Sequence, residues 1–464
     1  MNLLYLAIFL FIGKATSKAD YESKHVLGSL VFLSCVDGQR TNKDGSYIGQ
    51  EFWSSILKYK PDALFWIGDS IYTRCSHPEC IKRGYSIQNS NKEYQMVKKS
   101  GIYIDGTWDD HDYGINDGDK YFEYKETSQQ LFLDFLSVPT NSSRRERRGV
   151  YSSHVFGSSP QKQVRIILLD TRYHRDSTFL KYRYGISSYS EYDYAITSMF
   201  AASLRFFCSY LGLGSSYEGD MLGYEQWKWL EEELSNSDSA INIIVSSIQV
   251  SNRYPFVESW GHYPRSRERL FELLKKSKPR GLLFLSGDVH WAEIFGVKDK
   301  YGGAIEVTSS GVTHSIKSDN LINHIFLWLT MPFYSNSPDK YKSRYTNKNF
   351  GKLDFNFTCE IIDNKEICSQ AIIKITIHDT FGKPQLVNEV HIDYNDTSRL
   401  LHLNSIPSII SSKPTKILVA RLVIILICFL FLLQTATLAF SIFHLLIRSF
   451  MKQVFRTKER FKTN

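Results

Sequence analysis

Residues 108–117 read WDDHDYGIND and place four carboxylates, one histidine and one asparagine within ten positions. A solvated charge run needs no histidine among its aspartates, whereas hard metal ions need oxygen ligands at this density. Two further polar motifs, GDSIY at 68–72 and SGDVH at 286–290, each follow an apolar run of strand length. We therefore expect both motifs just beyond the carboxyl ends of strands, where open α/β sheets carry their sites.

The segments around these motifs alternate between strand-like and helix-like patterns, which predicts an α/β fold. HVLGSLVFLS at 25–34 predicts a buried strand, QEFWSSILKY at 50–59 a helix, and ALFWI at 63–67 a second strand. This order predicts a parallel βαβ unit that brings Cys35 and Asp69 to one sheet edge. Further strands are predicted at 101–108, 163–169, 240–250 and 282–285. Further helices are predicted at 128–136, 223–234 and 266–276, the last with Ser266 as its N-cap.

Both ends of the chain resemble targeting segments. An apolar core at 3–12 followed by small residues predicts a signal peptide over residues 1–17, with a buried strand as the alternative. No charged residue lies between Arg421 and Arg448, which predicts a transmembrane helix within 417–447. A polar stalk at 396–416 precedes it, and a basic cytosolic tail at 448–464 follows it. The predicted protein is a single-pass type I membrane protein whose body is lumenal or extracellular.

The seven cysteines fit an oxidising compartment. Cys75 and Cys80 lie in one predicted loop, and Cys359 and Cys368 bracket a turn, so each pair is predicted to form a local disulfide. The alternative for the first pair is a metal site that includes His77.

The net charge of +8 is spread along the chain except at its carboxyl end, so no nucleic-acid binding is expected. Three tripeptides are glycosylation acceptors if the body is lumenal. They begin at Asn141, Asn356 and Asn395.

The side chains at the predicted strand ends suit two different metal ions. Sulfur, phenolate and imidazole donors suit iron better than calcium, and one ion is expected at Cys35, Asp69, Tyr72 and His290. An all-oxygen set favours calcium, magnesium or manganese. This second ion is expected to share Asp69 and to bind Asp110 and Asp288, with Gln249 as a further candidate ligand.

Two ions roughly 3.5 to 4 Å apart can share a hydroxide and clamp the attacking and leaving oxygens of a phosphoryl transfer. The predicted reaction is therefore phosphoester hydrolysis. His111 is predicted to steady the phosphoryl group or to protonate the leaving oxygen. Arg172 is expected either to face the phosphate or to pair with Asp170 or Asp112. Asp109 and Asp112 are expected to orient His111.

Eight motifs occur in order between Val26 and Ser315. They are SC at 34–35, GDSIY at 68–72, WDDHDYGIND at 108–117, LDTR at 169–172, LGYEQWKWLEEEL at 222–234, ESWGHYP at 258–264, SGDVHWAE at 286–293 and EVTSSGVTHS at 306–315. Together they resemble the PhoD-like (alkaline phosphatase D) family of metallophosphoesterases. The resemblance implies a four-layer α/β/β/α sandwich, an iron and calcium site, and phosphomonoesterase or phosphodiesterase activity.

Three positions depart from the wider metallophosphoesterase pattern. Cys35 stands where an Asp-x-His usually begins, and Asp110 stands where the Asn of an Asn-His pair usually lies. Asp288 replaces the first histidine of a His-x-His, which leaves His290. These exchanges agree with one soft site and one all-oxygen site.

The predicted metallophosphoesterase domain spans residues 18–325, and a small β-rich appendage at 326–395 follows it. Residues 176–217 carry no readable motif and are expected to be an insertion. The predicted function is a membrane-anchored, metal-dependent phosphoesterase whose partners are a phosphoester substrate and, through the single span, a membrane. The alternative is a catalytically inactive module that uses the fold for binding or adhesion at the cell surface.

Overall fold

The structure is a computed structural model that describes residues 19–38, 52–73, 75–179, 204, 214, 216–252, 257–299, 302–316, 344–395, 402–403 and ten positions between 422 and 437. The predicted signal peptide and basic tail lie outside these residues, as do most of the stalk, of 176–217 and of 417–447. Within the described part of the chain, no helix is long and apolar enough to cross a membrane. The chain divides into two units, Met1–Ile409 and Ile410–Asn464, and the elements below belong to the first.

The strands and helices follow the order that the apolar patterns predict, with additional short strands. The strands are β1 (Tyr21–Ser23), β2 (Ser29–Leu33), β3 (Ala63–Ile67), β4 (Tyr103–Thr107), β5 (Ser152–Phe156), β6 (Val164–Leu168), β7 (Ile241–Ser246), β8 (Leu282–Ser286), β9 (Ala292–Asp299), β10 (Gly302–Thr308), β11 (Arg344–Tyr345), β12 (Asn349–Ile362), β13 (Lys365–Asp379), β14 (Pro384–Asp393) and β15 (His402–Leu403). The α-helices are α1 (Phe52–Tyr59), α2 (Pro78–Ser90), α3 (Lys92–Lys99), α4 (Asp110–Tyr113), α5 (Lys125–Phe135), α6 (Gly223–Ser235) and α7 (Pro264–Ser277).

The strands form two mixed sheets. The first has the order β1-β5-β6-β7-β8-β10-β9-β11, and the second has the order β15-β14-β13-β12-β2-β3-β4. Strands β6, β7, β8 and β10 run parallel to one another, and so do β2, β3 and β4. The carboxyl ends of each parallel set therefore lie along one edge of their sheet.

The two sheets pack face to face, and helices cover both outer faces. The core between the sheets takes Phe32 and Ile67 from the second sheet and Ile166 and Leu285 from the first. Because successive strand residues point to opposite faces, Val31 packs instead with the apolar side chains of α1 to α5. A third cluster packs α6 and α7 against β6, β7 and β8. The structure therefore has the four layers that the sequence resemblance implies.

The carboxyl-terminal strands are part of the sandwich rather than a separate appendage. Residues 351–354 of β12 pair antiparallel with residues 29–32 of β2. This pairing extends the second sheet, and Leu353, Ile373 and Ile375 enter the core between the sheets. The pairing also satisfies backbone groups that an exposed edge of β2 would leave open. The alternating pattern predicts the strands, but it carries no information about which strand they join.

The start of α7 differs from the predicted N-cap. The helix begins at Pro264, which suits a first helical position because its missing N–H would have no helical partner. Ser266 therefore lies within the first turn, and its hydroxyl accepts a hydrogen bond from the Met221 N–H at 3.1 Å. The serine joins two segments of the chain instead of capping the helix.

Both predicted disulfides are confirmed. Cys75 is bonded to Cys80, and Cys359 is bonded to Cys368. His77, the alternative metal ligand, lies at the N-cap of α2 and accepts a hydrogen bond from the Glu79 N–H at 3.4 Å. The first disulfide thus closes the loop that links the end of β3 to α2.

Candidate metal centre

The candidate site lies where parallel strands of both sheets end. Cys35 follows β2, Asp69 follows β3, the segment 109–111 follows β4, and Asp288 follows β8. Cys35 Sγ lies 3.6 Å from Asp69 Oδ2 in the second sheet and 3.8 Å from the carbonyl oxygen of Asp288 beyond the first sheet. The structure therefore brings together polar residues that are separated by more than 200 positions in the chain.

Four residues of the site have left-handed backbone conformations. The φ angles are 59° at Cys35, 52° at Asp69, 69° at Asp288 and 60° at His290. This conformation costs a residue other than glycine roughly 1 to 2 kcal/mol. It persists where the surrounding structure fixes the chain, and it is concentrated at functional sites. The local strain at these strand ends agrees with a site whose side-chain positions matter more than local stability.

Asp69 belongs to two groups of potential metal ligands. One group contains Asp69, Asp110 and His111, and the other contains Asp69, Asp109 and Asp288. Within each group the ligand atoms lie within 4.8 Å of one another. A carboxylate that is common to two groups could serve two neighbouring ions. The role of Asp69 as a shared ligand stays a prediction.

Cys35 and Tyr72 contact one oxygen of Asp69, and His290 contacts the Tyr72 hydroxyl. The Tyr72 hydroxyl donates to Asp69 Oδ2 at 2.9 Å and lies 3.2 Å from His290 Nε2. Cys35 Sγ lies 3.6 Å from the same carboxylate oxygen. Cys35 is buried and is not in a disulfide. The residues predicted for the soft site are therefore brought together.

Buried oxygens without partners show that the residues present fit a cation. Asp109 Oδ2 and Asp110 Oδ1 are buried and have no hydrogen-bond partner. Burial raises the pKa of Asp69, Asp109 and Asp288 well above the ordinary value, and neighbouring carboxylates raise these pKa values further. Crowded carboxylates in a buried place are costly without positive charge. Such oxygens are also the donors that a hard cation prefers.

Asp112 supports the loop that carries Asp69. Its carboxylate accepts the Ser70 N–H at 3.1 Å, the Ser70 hydroxyl at 2.5 Å and the Tyr85 hydroxyl at 3.3 Å. Burial raises the pKa of Asp112 to about 6. The sequence predicts that Asp112 orients His111, whereas the observed bonds fix the residue next to Asp69. The difference arises because β3 and β4 are neighbours in the sheet, which a linear motif does not reveal.

Arg172 is enclosed between two carboxylates. Its Nε donates to Asp109 Oδ1 at 2.6 Å, and its two terminal nitrogens donate to Glu258 at 3.0 and 2.6 Å. Arg175 binds the same glutamate. Burial alone would lower the pKa of Arg172, but Asp109 and Glu258 raise it well above the ordinary value. Burial would likewise raise the pKa of Glu258, but the two arginines hold it well below the ordinary value.

The structure bears on only one of the two sequence expectations for Arg172. Its side chain is 0% exposed and its guanidinium is occupied by carboxylates, and the phosphate-facing role stays a prediction. Its guanidinium pairs with Asp109 and Glu258 rather than with Asp170 or Asp112, although its backbone N–H donates to Asp170 Oδ1 at 2.8 Å. The arginine occupies one oxygen of Asp109, Oδ1. The other oxygen, Oδ2, is buried and has no hydrogen-bond partner.

His111 lies at the accessible side of the centre. Its side chain is 27% exposed, and its ring packs against that of Tyr72 with centroids 4.0 Å apart and planes tilted by 33°. Its backbone N–H donates to Asp69 Oδ1 at 3.2 Å, and its Nε2 lies 3.9 Å from Asp110 Oδ1. Burial lowers the pKa of His111, although Asp110 opposes this shift. A neutral imidazole in this place can bind a cation or contact a substrate.

Two further candidates lie beside the centre. Gln249 follows β7, and its amide nitrogen donates to Thr308 Oγ1 at 3.0 Å. Its role as a ligand stays a prediction. The ring of His314 packs edge-on against His290 at 4.4 Å and against Tyr72 at 4.7 Å between centroids. The His314 ring therefore packs against two of the predicted ligands.

The sequence did not reveal three contributions to the centre. Asp109 was expected only to orient His111, Glu258 was not singled out within its motif, and Ser310 was not considered. An acidic residue inside the aromatic motif ESWGHYP is a signal that could have drawn attention to Glu258. A serine in a Ser- and Thr-rich turn carries no comparable signal, so Ser310 required the structure.

Comparisons with known proteins add the family context. A family model described as PhoD-like phosphatase matches residues 104–363. The solved structure titled "Structure of PhoD" aligns with a TM-score of 0.51 and 15% identity, covering 83% of this chain and 73% of that chain. A dimetal phosphatase from Danio rerio aligns with a TM-score of 0.40 and 12% identity, covering 79% of this chain and 99% of that chain. No curated protein matches the chain. At such low identity, the likeness to the first structure shows the fold alone.

Proposed function

Because the chain belongs to the PhoD-like phosphatase family and is thus a metal-dependent phosphoesterase, we propose that it hydrolyses phosphomonoesters or phosphodiesters at the centre around Asp69. The observation that carries this proposal is the membership of Asp69 in two ligand groups at once. A carboxylate between two sets of donors can serve two ions at the separation of roughly 3.5 to 4 Å that two-metal sites have. Asp110 also occurs in two groups, but Asp69 is the one that additionally contacts Cys35 and Tyr72.

We divide the donors around Asp69 by their chemistry into two sets, which cut across the two ligand groups because Asp110 and Asp288 lie in different groups. The sulfur, phenolate and imidazole of Cys35, Tyr72 and His290 suit iron, with Asp69 shared. The carboxylates of Asp110 and Asp288 suit calcium, with magnesium or manganese as alternatives. We add Asp109 to this oxygen set, because its Oδ2 is buried without a partner. When bound, two cations supply Lewis acidity that makes water a better nucleophile and neutralises the charge on a phosphoryl group.

His111 and Arg172 receive different roles. The exposed fraction of the His111 side chain and its place beside Asp110 support direct contact with the phosphoryl group or protonation of the leaving oxygen. The enclosure of Arg172 supports a positioning role instead. We propose that it fixes Asp109, because its Nε bond occupies one oxygen of that carboxylate.

We also propose that the enzyme is anchored in a membrane by the segment 417–447, with its catalytic domain lumenal or extracellular. Two disulfides support an oxidising compartment. The asparagines of all three glycosylation tripeptides are exposed, as glycan attachment requires. The basic tail after the apolar segment supports a cytosolic carboxyl terminus.

Metal analysis and activity of the purified full-length protein test the proposed function. We expect two bound cations per chain and hydrolysis of p-nitrophenyl phosphate or of bis(p-nitrophenyl) phosphate. In Asp69→Asn we expect loss of both cations and a fall in activity of more than about 100-fold, because even changes outside the ligand set cost 10- to 100-fold. Asp134→Asn removes an exposed carboxylate of α5 and is the matched control. An active Asp69→Asn protein with unchanged metal content would refute the proposal.

A further inference from the structure

A serine hydroxyl connects two of the proposed ligands of the soft site. Ser310 follows β10 and is fully buried. Its Oγ lies 3.0 Å from Cys35 Sγ and 2.9 Å from the backbone nitrogen of His290. Ser310 and His290 follow strands of the first sheet and Cys35 follows a strand of the second, so the Ser310 hydroxyl links the two sheets.

The direction of both hydrogen bonds follows from the groups involved. The backbone N–H of His290 can only donate, so Ser310 Oγ accepts that bond. The hydroxyl has a single hydrogen, which is then left for the sulfur of Cys35. A cysteine that binds a metal is a thiolate without a hydrogen of its own. In the metal-bound protein, Ser310 therefore donates to the Cys35 sulfur.

The fold holds Ser310 in this orientation. Its carbonyl oxygen accepts a hydrogen bond from Asn349 Nδ2 at 2.7 Å, at the start of β12. The preceding Ser309 hydroxyl donates to Asn349 Oδ1 at 2.8 Å. One asparagine thus fixes two consecutive residues of the turn. The start of β12 therefore positions Ser310, in addition to extending the second sheet.

Ser34 is a second hydroxyl near the same sulfur, but its hydrogen has another acceptor. Its Oγ lies 3.5 Å from Cys35 Sγ and donates to the carbonyl oxygen of Ser309 at 3.3 Å. It is buried like Ser310. Ser34 therefore offers a matched control that removes a neighbouring hydroxyl without removing the hydrogen bond to sulfur.

We propose that Ser310 is a positioning residue that orients the Cys35 thiolate and lowers the electron density on its sulfur. The inference rests on the proposed function, because it takes Cys35 as a metal ligand. Hydrogen bonds to a ligating sulfur tune the properties of the bound metal, and residues that orient ligands typically change metal affinity 10- to 100-fold. Ser310 also ties Cys35 to the backbone of His290, so one hydroxyl fixes the distance between two donors.

The test uses Co²⁺ as the probe, added to the purified full-length protein after chelation. We expect a sulfur-to-cobalt charge-transfer band in the wild type that is absent in Cys35→Ala. In Ser310→Ala the band is expected at lower energy, because a sulfur without its hydrogen bond gives up electron density more readily, and Co²⁺ should bind about 10-fold more weakly. Ser310→Thr keeps the hydroxyl and should restore both values. Ser34→Ala should match the wild type.

Three other outcomes would each refute a specific part of this proposal. A band of unchanged energy in Ser310→Ala, together with unchanged Co²⁺ affinity, would refute the role of Ser310 and leave the metal site intact. Equal shifts in Ser310→Ala and Ser34→Ala would mean that the turn is generally disturbed, which also refutes the specific hydrogen bond. Absence of the band in the wild type would remove Cys35 from the ligand set, and with it both the inference and the proposed soft site.

Discussion

Replacing Arg172 with methionine separates a positioning role from a substrate-binding role. The arginine donates to Asp109 at 2.6 Å and to Glu258 at 3.0 and 2.6 Å, and all three side chains are buried. Removing one partner of a buried ion pair costs roughly 3 to 5 kcal/mol. Glu258 keeps its bond to Arg175, so we expect about 3 kcal/mol, at the lower end of that range.

The same change should weaken metal binding. Asp109 would keep its 2.6 Å hydrogen bond from the Ser247 hydroxyl and its capping contact with the Asp112 backbone, but it would lose the arginine that holds its carboxylate toward Asp69 and Asp288. We expect the affinity for Ca²⁺ or Mn²⁺ to fall by about 10- to 100-fold, the usual effect of losing a residue that orients a ligand. Urea unfolding followed by tryptophan fluorescence measures the first effect, and calorimetric titration of the chelated protein measures the second.

Arg165→Met is the matched control for Arg172→Met. Arg165 forms a largely buried pair with Glu233, between β6 and α6. Its loss should also lower the free energy of unfolding, but it should leave metal affinity and activity unchanged. The reasoning fails if Arg172→Met binds metal like the wild type and shows only a raised KM and a weaker inhibition by inorganic phosphate. That pattern would mean that Arg172 contacts the substrate.

Three further predictions concern acid sensitivity, the second disulfide and the metal-free protein. Burial lowers the pKa of His154 to about 4. The contribution of neutral His154 to the stability of the metal-bound protein should therefore be complete above pH 6.5 and fall by about 3 kcal/mol as the pH drops toward 4. His154→Asn should flatten this dependence in urea titrations. Replacing Cys359 and Cys368 together with serine should lower the free energy of unfolding by about 2 to 3 kcal/mol. The value of kcat/KM should not change, because the disulfide lies near the end of β12 that is distant from Asn349. A loss of activity would contradict the placement of the site. Burial raises the pKa values of Asp69, Asp109 and Asp288, so the metal-free protein should lose the stability that these protonated carboxyls contribute as the pH rises above about 4. Added Ca²⁺ or Mn²⁺ should reverse this loss at pH 8. A metal-free protein as stable at pH 8 as at pH 5 would contradict this prediction.

Local patterns were sufficient for much of the sandwich. The run ALFWI predicted β3 with its observed bounds, and QVRIILL predicted β6 to within one residue at each end. Such runs are informative because a strand covered on both faces must be apolar at nearly every position. Strand β5, with the sequence SSHVF, was missed because it carries three polar residues. Ser152 and His154 are tolerated there because they bond to each other and His154 also contacts Tyr103 in the folded protein.

The sequence by itself determined which donors stand at the strand ends. Cys35 and Asp69 follow apolar runs whose direction in a parallel sheet is fixed by short, right-handed connections, so their meeting at one edge of the second sheet followed from the order of elements. His290 follows β8 of the first sheet and reaches them only through the packing of the two sheets. Only the tertiary structure decided how each donor is held. Arg172 meets Glu258, and Ser310 meets Cys35, across separations that no periodic pattern encodes. Hydrogen bonds depend on distances of about 3 Å, and the packing of the two sheets sets those distances.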